Sequence, residues 1–365
     1  MGPESELDAA RRLIAEAEGH PQDEPMAARK AADQALRVLE GMSGARALRL
    51  RANALRLLGP ERDGDARRAF GEALAESPED GNLHYDYGLL HKWRGRWREA
   101  FAANEKAFAL LGPERRVLWN LGIAATALGL GDRATAVWKE LGMPVEGGHA
   151  LPIVRGLPPA RLRVPSRGPD LGSDPLGAGH ARLELPFVQP LGPCHGVLMT
   201  PTFGDAPVDY GDVVLWDGAP AGVVVEDGGP VPRMVLLEVL HRGDERRLPF
   251  IAAESRDRIL GALPVGVSTF FSDPRIDRVG VHGEDRGAAM GAPVFATTES
   301  AEGPGALQGK VIVPGGVSLR AVAEALDGAG LRLAIPRLYE LLGETRRAGQ
   351  AHQAWRGIER RAHVL

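Results

Sequence analysis

The chain has 365 residues, 44% of them apolar and 25% charged, which is ample for two or three domains with a sizeable core. Its formal net charge of −4 gives no reason to expect nucleic acid as a partner, and its one cysteine, Cys194, excludes an internal disulfide or a multi-cysteine zinc site. The acidic, polar start carries no secretory pattern, and no apolar run approaches the roughly 18 to 20 residues of a membrane helix, so a cytoplasmic protein without membrane contact is expected.

Residues 5–142 read as helix after helix. Ala, Leu, Arg and Glu dominate, and Pro falls near the expected turns. Gly88 and Gly122 lie 34 residues apart, as do Gly95 and Gly129, Ala100 and Ala134, and Asn104 and Trp138. The same step backwards reaches Ala54, Ala66 and Ala73. Small residues returning at one interval inside helix pairs mark a helical repeat, because each pair must stack on the next to bury both faces. The two clearest repeats run over 81–112 and 115–146. An earlier one starts near 47, and an irregular pair occupies about 5–18 and 25–41, with Asp23 or Glu24 as a helix start.

The pattern resembles the tetratricopeptide repeat (TPR). Gly88, Ala100, Asn104 and Ala107 fill the key small and bulky places in one repeat, and Gly122, Ala134, Trp138 and Leu141 fill them in the next. Asn104 stands where an aromatic residue is expected. The resemblance covers about 140 residues and implies a groove that holds a protein or peptide. Carried over from the family's geometry, the partner-facing residues are Asn82, Tyr85, Leu89, Lys92, Trp93, Arg116, Trp119 and Ile123, with Thr126 and Ala127 beyond them. Tyr, Trp and Arg are the residue types that anchor interfaces. Across the turn between the two helices, Lys92-Trp93-Arg94-Gly95-Arg96-Trp97-Arg98 interleaves basic and aromatic residues. It reads either as a solvated turn or as a receptor for phosphate or an acidic segment.

Residues 146–182 are rich in Pro and Gly and read as a linker or strap. From 183 onward the period becomes that of strands, at 183–188, 195–200, 212–217, 221–226, 234–242 and 247–252, with turn signals at 217–220 and 227–230 and a tight hairpin at 242–244. A short helix or strand follows at 257–263, then a strand at 311–314, a helix at 318–326, a strand at 331–335, a helix from 337 and a charged helix at 344–362. Residues 183–365 are therefore expected to form an α+β domain with a mostly antiparallel sheet or small barrel.

Catalytic candidates are few. Cys194 beside His195 has the composition of a thiolate–imidazole pair, but neighbours on a strand point to opposite faces. A partner imidazole would come from His241 or His282. Asp205, Asp209, Asp212 and Asp217 form a loose carboxylate group that fits turns better than a cation loop. The stretch from Met199 to Val214 bears a faint likeness to serine–lysine peptidases, but Leu198 replaces the serine and no lysine occurs between 184 and 309. The small-residue loop at 287–293 lacks a phosphate-binding pattern, and no metal or cofactor motif is present. The leading expectation is an adaptor whose repeats hold a protein partner while the C-terminal domain docks a second one or caps the arm. The alternatives are an enzyme built around Cys194, His195, His241 and Asp212, and a phosphate or nucleic-acid binder acting through residues 92–98.

Overall fold

The computed structural model describes residues 3–19, 25–166, 182–218, 220, 222–226, 229–272 and 306–363. The contacts gather into two compact units. The first comprises Met1–Leu157 together with two short segments from further along the chain, Pro190–His195 and Leu215–Ala221. The second comprises Pro158–Gln189, Gly196–Val214 and Gly222–Leu365.

The first unit is a row of helix pairs: α1 (Pro3–Gly19) with α2 (Pro25–Val38), α3 (Ala45–Leu58) with α4 (Asp63–Glu76), α5 (Gly81–Lys92) with α6 (Trp97–Leu111), and α7 (Arg115–Ala127) with α8 (Gly131–Glu140). The 34-residue spacing has a stereochemical origin. Gly95 and Gly129 sit in corresponding turns with φ of 63° and 67°, a conformation that L side chains rarely adopt. Gly88 lies so close to Asn104 that an added Cβ would meet its Nδ2 at 2.5 Å, and Gly122 stands in the same relation to Trp138, whose Cζ2 would lie at 2.7 Å. Small residues on the first helix therefore receive a bulkier one from the second. Trp138 is fully buried and donates to the Thr126 hydroxyl at 3.2 Å, and that hydroxyl donates to the Gly122 carbonyl at 2.7 Å. Asn104, the departure from the repeat pattern, is also fully buried and satisfies its Nδ2 on the Ala100 carbonyl at 2.8 Å. Asp80 caps α5 by accepting from the backbone N–H of Asn82 and Leu83.

After the helices, β1 (Ala160–Ser166), β3 (Phe187–Pro190), β4 (His195–Leu198), β5 (Val213–Asp217) and β7 (Gly229–His241) follow one another in a sheet that closes when β1 pairs with β7. The result is a small five-stranded barrel. The β1–β7 pairing is parallel, and β1–β3 is antiparallel. β2 (Arg182–Glu184) and β6 (Val223–Glu226) extend the sheet as antiparallel partners of β1 and β7. Ala160, Leu162 and Val164 are each fully buried, as are Val188, Leu198 and Val214 on neighbouring strands, in keeping with the two-residue period of a filled barrel.

A second sheet, β11–β8–β10–β9, is antiparallel in the pairings of β8 (Arg246–Ala252) with β10 (Leu307–Val313) and β11 (Leu333–Ala334), and of β10 with β9 (Ser268–Ser272). Leu248, Phe250 and Ala252 of β8 join Ile259 of α9 (Arg256–Ala262), Val322 of α10 (Leu319–Gly328) and Leu338 of α11 (Pro336–Leu341) in one core. Ile251 points the other way and packs with Ala334 against Ile358 and Trp355 of α12 (Thr345–His363).

Two details differ from the sequence reading. β1 occupies part of the stretch read as linker. Its Arg161, Arg163 and Pro165 obscure the apolar alternation, yet Arg161 donates to the Leu185 carbonyl at 2.8 Å and covers the Phe187 ring at 3.4 Å. Residues 242–244 are not a hairpin, because β7 and β8 belong to different sheets. The start at 23–24, His282 and the 287–293 loop lie outside the described residues.

Candidate functional site

Tyr85, Leu89, Lys92 and Trp93 recur every three to four residues along one face of α5. The next first-position helix, α7, brings Arg116 over the Tyr85 ring at 4.7 Å and within hydrogen-bond reach of the Asn82 side-chain oxygen. Asn82, Tyr85, Leu89, Trp93 and Trp119 are half-buried, and Arg116 is exposed. These residues form one patch across two repeats.

Deeper in the same row the chain is closed by its own downstream residues. Lys92 is 5% exposed. Its ammonium donates to Asn120 Oδ1 at 2.9 Å and to Asp217 Oδ2 at 3.0 Å, a partner 125 residues away. Burial lowers the Lys92 pKa, and the Asp217 carboxylate opposes that shift. Gly218, beside Asp217, approaches Trp119 so closely that an added Cβ would lie 2.1 Å from its Cζ2. Trp216 is buried, and its backbone N–H donates to the Cys194 carbonyl at 2.8 Å. Ile123 is fully buried. Of the eight residues assigned to partner contact, Lys92 and Ile123 are thus enclosed, and Trp119 meets the 217–218 turn.

The basic cluster after α5 is also committed internally. Arg94 grips both oxygens of Asp63 through Nε at 2.9 and 3.0 Å, and Arg96 approaches the same carboxylate at 3.7 Å. Together with the Lys92–Asp217 pair, these contacts leave Arg98 as the exposed basic residue of the run, so the cluster offers a phosphate little unneutralised charge.

The enzyme-like residues are separated by chemistry. Cys194 is fully buried, and desolvation pushes its thiol up to about 12, far from a thiolate at neutral pH. His195 is 1% exposed, burial pulls its pKa down to about 4, and its Nδ1 has no hydrogen-bond partner among the described residues. Neither group carries the charge that a thiolate–imidazole pair needs. His241 lies exposed at the end of β7, on an open cleft of about 560 Å³ that Pro165, Pro207 and β7 side chains line. Asp212 is wholly buried and fully engaged. Its oxygens accept from Arg242 at 2.7 Å, Arg247 at 2.8 Å, and the backbone N–H of Gly243 and Asp209, both at 3.0 Å. Asp209 pairs with Lys310, and Asp217 with Lys92. Two of these carboxylates are tied to cationic side chains of the second unit and a third to one of the first. No group of three His, Cys, Asp or Glu suited to a metal occurs among the described residues.

The neutral His195 makes a measurable difference to acid stability. Its pKa is near 6.5 when unfolded and about 4 when folded. The unfolded chain therefore binds the proton first, and stability is lost as pH falls from about 6.5 towards 4. The expected loss is about 3 kcal/mol. Urea melts of the wild type and His195→Gln across that range should diverge by this amount. Parallel curves would show that the ring is solvated in the folded protein.

Sequence reasoning missed Asn120 and Asp217 as partners of Lys92. Asn120 is the one with a signal, since it lies 34 residues after Asp86, one repeat further on and six residues before Thr126, the counterpart of Lys92. Among the described residues, no helix is long and apolar enough to cross a membrane. Searches against family models and curated proteins found no match. Among solved structures, the chain is similar to MamA, with 19% identity over 38% of this chain and 78% of that one, at a TM-score of 0.27. It is also similar to PilF of Pseudomonas aeruginosa, with 23% identity over 38% of this chain and 62% of that one, at a TM-score of 0.29.

Proposed function

We propose that the helical-repeat unit is a TPR-like protein-interaction scaffold, and that a protein partner seats on Asn82, Tyr85, Leu89, Trp93 and Arg116. The observation that carries this reading is the guanidinium of Arg116 stacked on Tyr85 across α5 and α7, with the Arg116 side chain still 43% exposed. Aromatic and Arg side chains held rigidly at a surface lose little entropy on binding and anchor interfaces out of proportion to their number. Lys92, Asn120 and Ile123 serve as the floor beneath that patch rather than as contacts. In this reading the C-terminal unit contributes a second surface, and Cys194, His195, His241 and Asp212 perform no chemistry.

The test is co-purification from the native cell with the full chain as bait, comparing wild type with a Tyr85→Ala/Arg116→Ala variant. A partner retained by the wild type and lost by the variant, at unchanged melting temperature, supports the scaffold. An identical retained set from both proteins would overturn it.

A further inference from the structure

We propose that the outer face of α12 binds the phosphate backbone of duplex nucleic acid, without reading its sequence. The helix carries five arginines and a single glutamate in 19 residues. Its inner stripe, Ala348, Ala351, Trp355 and Ile358, packs inward, with Ile358 and Trp355 against Ile251 and Ala334. At about 100° per residue, Arg346, Gln350, Gln353, Arg356, Arg360 and Arg361 all fall within an arc of roughly 140° on the opposite side. All six are exposed.

Three nearby carboxylates are paired elsewhere, and Glu359 of α12 lies outside the arc. Arg347 takes Asp327 and Glu344, and Arg337 and His352 take Glu340. Arg346, Arg356, Arg360 and Arg361 have no acidic partner among the described residues. Arg360 Nε donates only to the Arg356 carbonyl, at 3.2 Å. The whole-chain charge of −4 conceals this strip of like charge, which is about 21 Å long from Arg346 to Arg360.

Two glycines sharpen the argument. Gly349 and Gly357 lie on the same outer arc, and a Cβ added to either would meet nothing within 4 Å. Packing therefore does not require them, and glycine inside a helix costs about 1 kcal/mol relative to alanine. What they provide is a smooth surface between the arginines, on which a rigid, wide polyanion can lie close to the helix. A bilayer surface fits less well, because the arc has no large apolar side chain to enter the acyl boundary. A single strand fits less well too, because the described residues of the arc include no aromatic ring on which its bases could stack. Gln350 and Gln353 supply neutral donors for phosphate and sugar oxygens.

The experiment titrates the full chain into a fluorescein-labelled duplex DNA of roughly 20 mixed-sequence base pairs and follows anisotropy between about 50 and 200 mM salt. The wild type should bind with a log–log salt slope of about −3 to −4, as four phosphate contacts require. R346Q/R356Q/R360Q/R361Q should bind at least about tenfold more weakly with a slope near zero, and the all-Lys variant should regain most of the affinity. Absence of wild-type binding at the lowest salt, or equal binding by the Gln variant, overturns the proposal. Retention on phosphatidylserine vesicles that exceeds retention on DNA, and is lost in the Gln variant, also overturns it and assigns the face to lipid. Should the Gln variant melt early, the wild-type slope and the Lys variant decide.

Discussion

Asp217→Ala should lower the stability of the helical unit by about 3–5 kcal/mol at neutral pH, the range seen when one member of a buried ion pair is removed. Lys92 is almost wholly enclosed, and its ammonium would keep only Asn120 as a partner. The charge would then be desolvated without compensation. The effect should depend on which partner is lost. Lys92→Met strands a carboxylate whose side chain is 14% exposed and can still reach water, so its cost should be the smaller of the two. The double variant Lys92→Met/Asp217→Leu should return to within about 1–2 kcal/mol of the wild type, since a well-packed apolar pair replaces an ion pair at little cost. Denaturant melts of the four proteins close the cycle. Additive losses would show that the two side chains do not act as a pair.

In the second unit, Asp212→Ala should cost a similar 3–5 kcal/mol. Four donors converge on this carboxylate, two of them backbone N–H groups with no other acceptor among the described residues. Removing it leaves two amides unsatisfied and the Arg247 guanidinium with only the Tyr210 carbonyl and the more distant Glu245. Arg242, with a 61% exposed side chain, re-enters solvent and contributes little to the loss. Asp212→Asn keeps the shape but offers one acceptor oxygen in place of two, so an intermediate loss is expected. A melting curve unchanged by either substitution would mean that Arg247 is held by the Tyr210 carbonyl alone.

The helical unit was legible because its signals are local. Gly95 and Gly129 mark left-handed turns, and Gly88 and Gly122 mark close helix contacts, each visible within one repeat. Strand positions were legible for the same reason, from short Val- and Leu-rich runs. Pairing was not. The order β11–β8–β10–β9 brings together residues 36 to 83 apart, and nothing in any single strand names its neighbour. β1 was missed because Arg161 and Arg163 take outward positions that an exposed strand would give to polar residues, yet here both are buried. The same limit applies to the candidate site. The resemblance to the repeat family assigned Lys92 to partner contact, but its enclosure depends on a carboxylate from 125 positions downstream. Asp217, read on its own, is an ordinary turn residue.

The first unit is assembled from three stretches of sequence, the last of which ends at Ala221. During synthesis the eight helices leave the ribosome well before residues 190–195 and 215–218 do. Through that interval Lys92 has no counter-ion and Trp119 lacks the turn that later lies against it. The nascent arm is therefore least protected while it looks finished, and a clone cut after residue 157 would hold it permanently in that state.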